Sequence, residues 1–306
     1  MSKIPVIIDT DPGIDDFLAI MLAKSSAKLD IRAITAVCGN QTLEKTSKNA
    51  LDIANLLDIN VAVAKGAQTP LDRELYTAGD VHGENGIGNI YLEASSKEFD
   101  NRYAWDLIYD EVKKENGNLE IIAIGPLTNI AIAVLKYPEL VNMVKRLTIM
   151  GGSASSGNRT EHAEFNIWAD PLAADIVFKS GFNMVMVGLD VTRKTLLSEE
   201  NIEEIKAVKS EHIDIIGSLL DEMFKRYKKL GNPGVVIHDA LAVAYVIDES
   251  CLELKNCQVS IESRDEIRIG KTIVDLEGKD KNVAVAFEVD FNLFKDLFEK
   301  MPLYYN

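Results

Sequence analysis

Cysteine is scarce in this chain of 306 residues, which contains only Cys38, Cys251 and Cys257. An odd number of cysteines without a C-x-x-C pair provides neither a disulfide framework nor a zinc-binding motif. The sequence also lacks an apolar run of the roughly 18 to 20 residues that a membrane span requires. The apolar stretch at residues 4–8 is too short for such a span and contains Pro5. We therefore expect a cytoplasmic protein that does not bind membranes.

Basic residues are also in deficit, with 33 Lys and Arg against 48 Asp and Glu and a formal net charge of -15. Such a chain repels polyanions, so we do not expect a nucleic-acid partner and favour a small neutral or cationic molecule. The hydrophobic content of 47% is sufficient for a large buried core.

Strand-like and helix-like segments alternate from the N-terminus onward. Residues 4–8 and 31–37 have the composition of strands, and residues 14–24 and 43–57 have helical periodicity. Further strands are predicted at 61–64, 119–124, 146–150 and 184–187, and a later group, with an antiparallel arrangement considered, at 259–261, 267–274 and 283–289. This alternation predicts a single α/β domain over residues 1–306, with a mostly parallel central sheet flanked by helices.

Four long intervals fit neither a helix nor a strand, namely residues 65–90, 151–165, 190–197 and 231–236. Long irregular segments in a compact domain are usually functional or disordered. The carboxyl ends of parallel strands meet at one edge of a sheet, where ligands bind. We therefore expect the unusual segments to gather at that edge.

Four aspartates lie within eight residues directly after the first strand: Asp9, Asp11, Asp15 and Asp16. Carboxylates placed so close together repel one another, and a bound cation relieves that repulsion. A proline-glycine pair among them makes a tight turn plausible, which folds Asp11 back towards the last two. Oxygen ligands without nearby cysteine select a hard ion, calcium or magnesium.

Three other interpretations of this cluster exist. In one, Asp11 or Asp15 only caps the following helix and the other aspartates lie in solvent. An EF-hand loop also begins D-x-D, but it needs a bidentate Glu at its twelfth position, where this chain has Ile20. Phosphatases with an aspartyl nucleophile typically carry Thr where this chain has Gly13. The EF-hand interpretation therefore fails, and the phosphatase interpretation is weakened but stays open.

The other segments at the expected edge carry carboxamides, carboxylates and histidines. These groups suit a polyhydroxylated ligand, because carboxylates accept hydrogen bonds from sugar hydroxyls and Asn both donates and accepts. The run at 151–157 lacks the Lys-Ser/Thr ending of a phosphate-binding loop, so a neutral sugar is favoured over a nucleotide. Among the histidines, we expect acid or base roles for His82 and His238, a surface position for His212, and a position at the site rim or in solvent for His162.

Residues 9–16 resemble the D-x-D-P-G-x-D-D signature of the inosine-uridine nucleoside hydrolase family. The resemblance extends over most of the chain, because further matching segments follow in the same order at 39–40, 81–83, 125–129, 150–152, 163–166 and 238–239. Each segment is weak alone, but the ordered set is specific. The resemblance implies a calcium-dependent enzyme that hydrolyses ribonucleosides to ribose and free base.

By this resemblance, calcium is held by the side chains of Asp11, Asp16 and Asp239 and by the backbone carbonyl of Ile124, a ligand set suited to a hard ion. The remaining coordination positions fall to the attacking water and two ribose hydroxyls. The implied substrate contacts are Asp15, Asn40, His82, Asn158, Glu164, Phe165, Asn166, Tyr227 and His238.

The implied reaction builds positive charge on the ribose in an oxocarbenium-like transition state, as in the hydrolysis of O-glycosides. Asp11 is the implied general base that activates the water, a role worth on the order of 10² to 10⁴ in rate. The departing base needs a proton, for which His238 is the first candidate and His82 the second. The resemblance also implies a homo-oligomer, a tetramer or a dimer.

Two features leave the specificity open. Glu161 and His162 stand where many relatives have proline, so the rim of the ribose pocket is expected to differ. The residue that contacts the base is expected among Phe224, Arg226 and Tyr227, and spacing alone does not choose among them. The sequence therefore does not decide between purine and pyrimidine nucleosides.

Two other functions stay open on the sequence alone. A phosphohydrolase that uses Asp9 or Asp11 as nucleophile would release phosphate and depend on magnesium. A non-catalytic nucleoside- or sugar-binding protein would return its ligand intact, because a fold does not by itself establish an activity.

Overall fold

The computed structural model describes residues 3–88 and 90–305, and within them one sheet has nine strands and a second sheet has two. The strands are β1 (Ile4–Thr10), β2 (Leu29–Ala36), β3 (Ala62–Lys65), β4 (Glu120–Ala123), β5 (Arg146–Met150), β6 (Met184–Val187), β7 (Leu196–Ser198), β8 (Gly234–Val236), β9 (Leu252–Ile261), β10 (Thr272–Asp275) and β11 (Val283–Val289). The larger sheet has the order β10-β9-β11-β6-β5-β4-β1-β2-β3, and it is parallel from β3 to β11. The predicted α/β class with a mostly parallel sheet is confirmed.

The first strand shows why this sheet is covered on both faces. Val6 and Ile8 pack into one hydrophobic cluster, whereas Ile7 between them packs into another. All three side chains are fully buried. Because successive side chains of a strand point to opposite faces, an uninterrupted apolar strand needs a helical layer on each side.

Helices supply both layers. They are α1 (Ile14–Ser25), α2 (Leu43–Leu56), α3 (Gly79–His82), α4 (Ala104–Lys114), α5 (Thr128–Lys136), α6 (Leu140–Met143), α7 (Phe165–Ala169), α8 (Pro171–Lys179), α9 (Leu189–Thr192), α10 (Glu199–Lys206), α11 (Ile213–Lys229), α12 (His238–Ile247) and α13 (Phe291–Lys300). Buried side chains of α1, α2, α11, α12 and α13 join the cluster that contains Ile8, and those of α4, α5 and α8 join the cluster that contains Ile7. In α4, for example, Leu107, Ile108 and Val112 recur at helical spacing and are fully buried.

The strand order reverses between β1 and β4, because β2 and β3 extend the sheet on one side and β5 and β6 extend it on the other. Ligands of open α/β sheets bind in the crevice outside the carboxyl ends of the strands at such a reversal. The chain leaves β1 there through residues 11–13 and leaves β4 through Ile124 and Gly125. The fold therefore places the aspartate cluster in the position where a ligand is expected.

Two predicted strands begin in the wrong place. The strand expected at 259–261 already starts at Leu252. The strand expected at 267–274 starts only at Thr272. The side chain of Asp265 accepts hydrogen bonds from the backbone amides of Ile267 at 2.9 Å and of Arg268 at 3.0 Å. These bonds bend the chain into a turn and use amides that a strand would have paired.

Three of the four long intervals are also less irregular than expected, whereas 151–165 contains only the first residue of α7. The three include all or part of α3, α9, β7 and β8, each of only three or four residues. Elements this short carry too few residues to display a periodicity, so sequence patterns miss them. The antiparallel arrangement considered for the late strands holds for β9, which is antiparallel to β10 and β11. Among the helices of the described residues, none has the length and apolar character to cross a membrane.

A buried ion pair joins the amino ends of β4 and β5, at the edge of the sheet opposite the aspartates. Glu120 is fully buried and accepts hydrogen bonds from the guanidinium of Arg146 at 2.9 and 2.7 Å. Lys145 donates to the same carboxylate at 2.7 Å. Removal of one partner from such a pair leaves a buried charge poorly compensated.

The variant Arg146→Met is expected to lower the free energy of unfolding by about 3 kcal/mol, the lower end for a broken buried pair, because Lys145 still contacts Glu120. Urea denaturation followed by circular dichroism measures this loss. The matched control is Lys179→Met, which breaks an exposed ion pair with Asp175 and should change stability little. Equally small losses in both variants would contradict a stabilising role for the buried pair.

Candidate active site

The turn between β1 and α1 fixes Asp16. Thr10, the last residue of β1, donates from Oγ1 to Asp16 Oδ1 at 2.5 Å, and the backbone amide of Gly13 donates to Asp16 Oδ2 at 2.9 Å. Gly13 directly precedes α1, so the carboxylate closes back on the amino end of its own helix. Negative charge is favoured at that end because the helix dipole is positive there.

Asn40, in the segment after β2, joins this turn to Asp11. Its backbone amide donates to Asp11 Oδ2 at 2.6 Å, and its side-chain Nδ2 donates to Asp16 Oδ2 at 3.1 Å. The approach requires glycine at position 39, because a Cβ on Gly39 would lie 2.1 Å from Asp11 Oδ2. One oxygen of Asp11 and both oxygens of Asp16 are therefore hydrogen-bonded within the protein.

The second oxygen of Asp11, Oδ1, is buried and has no hydrogen-bond partner within residues 3–88 and 90–305. A Cβ built on Gly125 would lie 2.6 Å from this oxygen, so it faces the backbone of the turn after β4. Buried polar atoms nearly always have a partner. An unpaired carboxylate oxygen at the crevice therefore indicates a position for a cation or a proton donor.

Three further carboxylates meet next to this oxygen. Asp15 and Asp16 from α1 and Asp239 from the first turn of α12 place oxygens within 4.8 Å of one another. Burial, followed by the charge of Asp16, raises the pKa of Asp15 to about 7. Burial, followed by the charges of the other aspartates, raises the pKa of Asp239 well above its usual range. A cation would reverse this effect, because opposite charge favours the ionised form.

Among side chains, the predicted ion ligands and this observed group differ in one member. Asp16 and Asp239 belong to both, whereas the group within 4.8 Å contains Asp15 and Asp11 adjoins it. The carbonyl of Ile124, also predicted as a ligand, accepts a hydrogen bond from Asn166 Nδ2 at 2.9 Å. Carboxylates and a carbonyl, with no sulfur or nitrogen among them, form a donor set that fits calcium or magnesium.

Glu164 and Asn166 lie at the start of α7, beside the turn after β4. Glu164 caps the helix, because its Oε1 accepts from the backbone amide of Asn166 at 2.8 Å. Its Oε2 accepts from the amide of Gly152 at 3.0 Å, which ties α7 to the segment after β5. Both side chains are buried, and burial raises the pKa of Glu164.

Asn158 and Phe165 form the outer part of the same segment. The carboxamide Oδ1 of Asn158 accepts a hydrogen bond from the backbone amide of Phe165 at 2.9 Å. Asn158 is exposed and Phe165 is half-buried, in contrast to Glu164 and Asn166. The segment therefore has a buried end near Ile124 and an exposed end at the rim of the crevice.

His82, at the end of α3, packs against the aspartate turn. Its Nδ1 accepts a hydrogen bond from the backbone amide of Ile14 at 3.1 Å and lies 3.9 Å from Asp15 Oδ1. A Cβ on Gly13 would lie 2.5 Å from this nitrogen, so the contact requires glycine there. Because a backbone amide can only donate, the ring proton of neutral His82 is on Nε2. Burial lowers the pKa of His82 to about 3, so the ring is neutral.

His238, the first residue of α12, is held through both ring nitrogens. Nδ1 lies 2.8 Å from Thr192 Oγ1 in α9, and Nε2 lies 3.2 Å from the hydroxyl of Tyr227 in α11. Burial, with a smaller contribution from the positive charge of Arg193, lowers the pKa of His238 to about 4. Among the three candidates for the base contact, Tyr227 is therefore the one whose hydrogen bond reaches a candidate catalytic residue.

Two residues that orient the predicted ones were not identified from the sequence. Thr10 lies inside the aspartate run, and its hydroxyl, rather than a charge, holds Asp16. Thr192 lies in the interval 190–197, whose irregular composition was the only sequence signal available for it. Its contact with His238 joins residues 46 positions apart, which no local pattern encodes.

Comparisons with known proteins agree with this geometry. The family model described as inosine-uridine preferring nucleoside hydrolase matches residues 6–296. The pyrimidine-specific ribonucleoside hydrolase RihA of Shewanella sp. (strain MR-7) is 40% identical over 303 residues, which cover 97% of this chain and 95% of that protein. The non-specific ribonucleoside hydrolase RihC of Salmonella enteritidis PT4 is 39% identical over 295 residues, or 94% and 95% of the two chains. A solved purine-preferring ribonucleoside hydrolase from Gardnerella vaginalis superposes with a TM-score of 0.92 at 32% identity, over 97% of each chain.

The fold and the site together define an α/β enzyme whose crevice gathers carboxylates that fit a metal ion. The chain belongs to the inosine-uridine preferring nucleoside hydrolase family, which confirms the resemblance seen in the sequence. It is therefore an N-glycosyl hydrolase that acts on ribonucleosides. The comparisons favour neither a phosphohydrolase nor a non-catalytic binding protein.

Addition of calcium or magnesium to protein treated with a chelator is expected to raise the Tm, because an ion that binds only the folded state stabilises it by about 2.7 kcal/mol at 100 times its Kd. Differential scanning fluorimetry measures the shift. Asp239→Asn removes one charge from the carboxylate group and should reduce the shift, whereas Asp296→Asn, at an exposed position on α13, should preserve it. No shift with either ion, or equal shifts in wild type and Asp239→Asn, would contradict a cation site in this crevice.

Proposed function

We propose that the enzyme is a calcium-dependent ribonucleoside hydrolase in which Asp11 activates the attacking water. The observation that carries this proposal is the buried Oδ1 of Asp11, which lacks a partner in the described part of the chain. It adjoins Asp15 and Asp16, whose charges raise the pKa of Asp11 further after burial has done so. Calcium takes roughly six to eight oxygen ligands, so it suits a crevice with this many carboxylates.

The residues proposed to hold the ion are Asp11, Asp16, Asp239 and the backbone carbonyl of Ile124. When bound, the ion supplies positive charge that orients a water molecule and lowers its pKa. That positive charge also keeps Asp11 ionised despite its burial. Asp11 then accepts a proton from the water as general base, and the resulting hydroxide attacks the anomeric carbon of the ribose.

Rupture of the glycosidic bond develops positive charge on the ribose ring. The carboxylates that line the crevice stabilise this charge, because they are fixed before the reaction and are largely shielded from water. They are Asp11, Asp15, Asp16, Asp239 and Glu164. In this proposal the same group of acids therefore serves both ion binding and transition-state stabilisation.

The departing base needs a proton or a hydrogen bond, and His238 is the proposed donor. The hydroxyl of Tyr227 lies 3.3 Å from the carbonyl of Val236, which can only accept. If Tyr227 donates there, Nε2 of His238 carries the ring proton and Nδ1 accepts from Thr192. His238 can then donate from Nε2–H to the departing nucleobase as negative charge develops on that nucleobase. His82, with its proton also on Nε2, is the second candidate.

The ribose is proposed to lie between the aspartates and the start of α7. The 2′- and 3′-hydroxyls of ribose are vicinal and would lie together towards a bound cation, so they are proposed to face the buried polar residues. These are Asp15, Asn40, Glu164 and Asn166. The 5′-hydroxyl points away from that end of the ring, which leaves it to Asn158 and Phe165 at the rim.

We further propose a cytoplasmic homo-oligomer, a dimer or tetramer, with no nucleic-acid partner. The three relatives described above are named as pyrimidine-specific, non-specific and purine-preferring, so nucleosides of both classes belong in any assay. Tyr227 is the proposed contact for the base, because its hydroxyl is adjacent to His238.

Incubation with a panel of purine and pyrimidine ribonucleosides is expected to release ribose, measured as reducing sugar, only while calcium is present. A chelator should stop the release and added calcium should restore it.

Asp11→Ala is expected to lower kcat by about 10²- to 10⁴-fold or more, while the circular dichroism spectrum stays that of wild type. Asp296→Ala, at an exposed position on α13, is the matched control. Full activity in Asp11→Ala would refute the assigned base, and release of phosphate from phosphate esters would instead support the phosphohydrolase.

The variant His238→Ala is expected to slow nucleosides with poor leaving groups by about 10²-fold or more, and an activated aryl riboside much less, because its leaving group needs no proton. Thr192→Val keeps the shape of the side chain but removes the Oγ1 contact, so a smaller loss with the same pattern is expected. Thr192→Ser retains the hydroxyl and serves as the control. Steady-state kcat on both substrates measures the pattern, and equal slowing of both by His238→Ala would exclude it as the donor.

A further inference from the structure

Four side chains form a cluster beside Asn158, at the exposed end of the segment 158–166. They are Arg73, Tyr76, Arg159 and Trp168. We call this cluster the arginine stack. The Cζ atom of Arg159 lies 3.9 Å from the ring centroid of Tyr76 and 4.6 Å from that of Trp168. The two rings are nearly perpendicular, at 86°, with centroids 5.4 Å apart. The guanidinium group of Arg159 therefore contacts two aromatic rings at once, at distances typical of cation–π attraction.

The rings are the principal contacts of the Arg159 side chain. Its Nε is buried and has no hydrogen-bond partner in residues 3–88 and 90–305. Arg73 holds Trp168 in place. Its Nη1 donates to the backbone carbonyl of Trp168 at 2.6 Å, and its Cζ lies 4.3 Å from the Trp168 ring centroid. The position of Arg159 therefore depends on where Tyr76 and Trp168 are held.

Arg159 directly follows Asn158 in a tight turn. The backbone amides of Asn158 and Arg159 both donate to the carbonyl of Ala163, at 3.2 and 3.1 Å. A Cβ on Gly157 would lie 2.2 Å from the same carbonyl oxygen, so the turn leaves no room there for a side chain. Because the turn is this compact, a shift of Arg159 also shifts Asn158.

The carboxamide of Asn158 has one end occupied and one end available. Its Oδ1 accepts from the backbone amide of Phe165, which orients the group. Its Nδ2 makes no hydrogen bond to the part of the chain that the structure describes, and the residue is exposed. The available donor therefore lies at the rim, where the 5′-hydroxyl of the ribose is proposed to be.

The segment that carries Asn158 is anchored on both sides of that residue. Before it, Asp190 accepts from the amide of Ala154 at 2.6 Å and Arg193 donates to the carbonyl of Gly157 at 2.6 Å. After it, Thr160 Oγ1 accepts hydrogen bonds from the amides of His162 and Ala163 at 3.2 and 3.0 Å within the turn, and Arg159 contacts the stack. Loss of the stack should consequently loosen the rim at Asn158 while the first anchor and the buried Glu164 keep the rest of the segment in place.

The stack also joins two segments that lie over the crevice. Tyr76 belongs to the irregular segment that leads into α3, which ends at His82. That segment is fastened to α8 by the amide of Leu71, which donates to Asp170 Oδ2 at 2.9 Å. The segment 158–166 has Glu161 and His162 instead of proline. The contact of Arg159 with the stack restrains the position of this same segment.

We propose that the arginine stack positions Asn158 for the 5′-hydroxyl of a bound ribonucleoside, which makes Arg159 a positioning residue for substrate recognition. This inference rests on the proposed function. It predicts that the stack matters only for substrates that carry a 5′-hydroxyl. The proposed ion ligands and His238 lie on segments other than those that carry the stack, so they are not expected to change with it.

The test compares KM and kcat for uridine and 5′-deoxyuridine, with inosine and 5′-deoxyinosine in parallel. Arg159→Met is expected to raise KM for the ribonucleosides about five-fold, the size of one lost hydrogen bond, with kcat little changed. KM for the 5′-deoxynucleosides should change less than about two-fold. Tyr76→Leu, at a side chain that is half exposed, should reproduce this pattern without disturbing the fold.

A double-mutant cycle separates positioning from a general loss of structure. Asn158→Ala removes the hydrogen bond itself, so the double variant with Arg159→Met should bind uridine no more weakly than Asn158→Ala alone. Lys255→Met on β9 removes another cation–π contact, in which Nζ lies 5.4 Å from the ring of Phe287 on β11, and should leave all constants unchanged. Equal rises in KM for both kinds of substrate, additive effects in the cycle, or no effect of Arg159→Met would overturn the inference. Failure of wild type to hydrolyse any ribonucleoside would overturn the proposed function as well, and the two failures are therefore distinguishable.

Discussion

The structure depends above all on the burial of several carboxylates side by side where the strand order of the sheet reverses. Burial raises the pKa of Asp11, Asp15, Asp16 and Asp239, and neighbouring aspartate charges raise the pKa of Asp11, Asp15 and Asp239 further, so an arrangement of this kind is costly without a cation. Thr10 donates a hydrogen bond to Asp16 Oδ1, and the backbone amide of Asn40 donates one to Asp11 Oδ2. They leave Asp11 Oδ1 unpaired within the described residues, and the role proposed for the ion follows from that atom.

Sequence reasoning succeeded where the information is local or is repeated along the chain. The run at residues 9–16 identified the acids, and the alternation of strands and helices placed them at the carboxyl edge of a parallel sheet. It failed for contacts between distant segments. The bond from Thr192 to His238 and the stack around Arg159 join separate loops, and neither has a recognisable spacing. The turn at Asp265, which displaced the start of β10, was missed because one side chain outweighed an apolar pattern.

The crevice is built from two kinds of structure with different tasks. Turns at the ends of β1, β2 and β4 hold the carboxylates and the Ile124 carbonyl, and most of these groups are fully buried. Longer segments bring Asn158 and the arginine stack to the rim, where residues are half-buried or exposed. Rigid strand ends suit an ion that needs fixed oxygens, whereas variable loops suit the parts of a nucleoside that differ between substrates.

Diffraction from crystals grown with calcium and ribose, recorded where calcium has an anomalous signal, tests the central claim most directly. A single ion is predicted, bonded to Asp11, Asp16, Asp239 and the carbonyl of Ile124, with two ribose hydroxyls completing its ligands. An absence of anomalous signal among these residues, with their side chains turned away from one another, would contradict it.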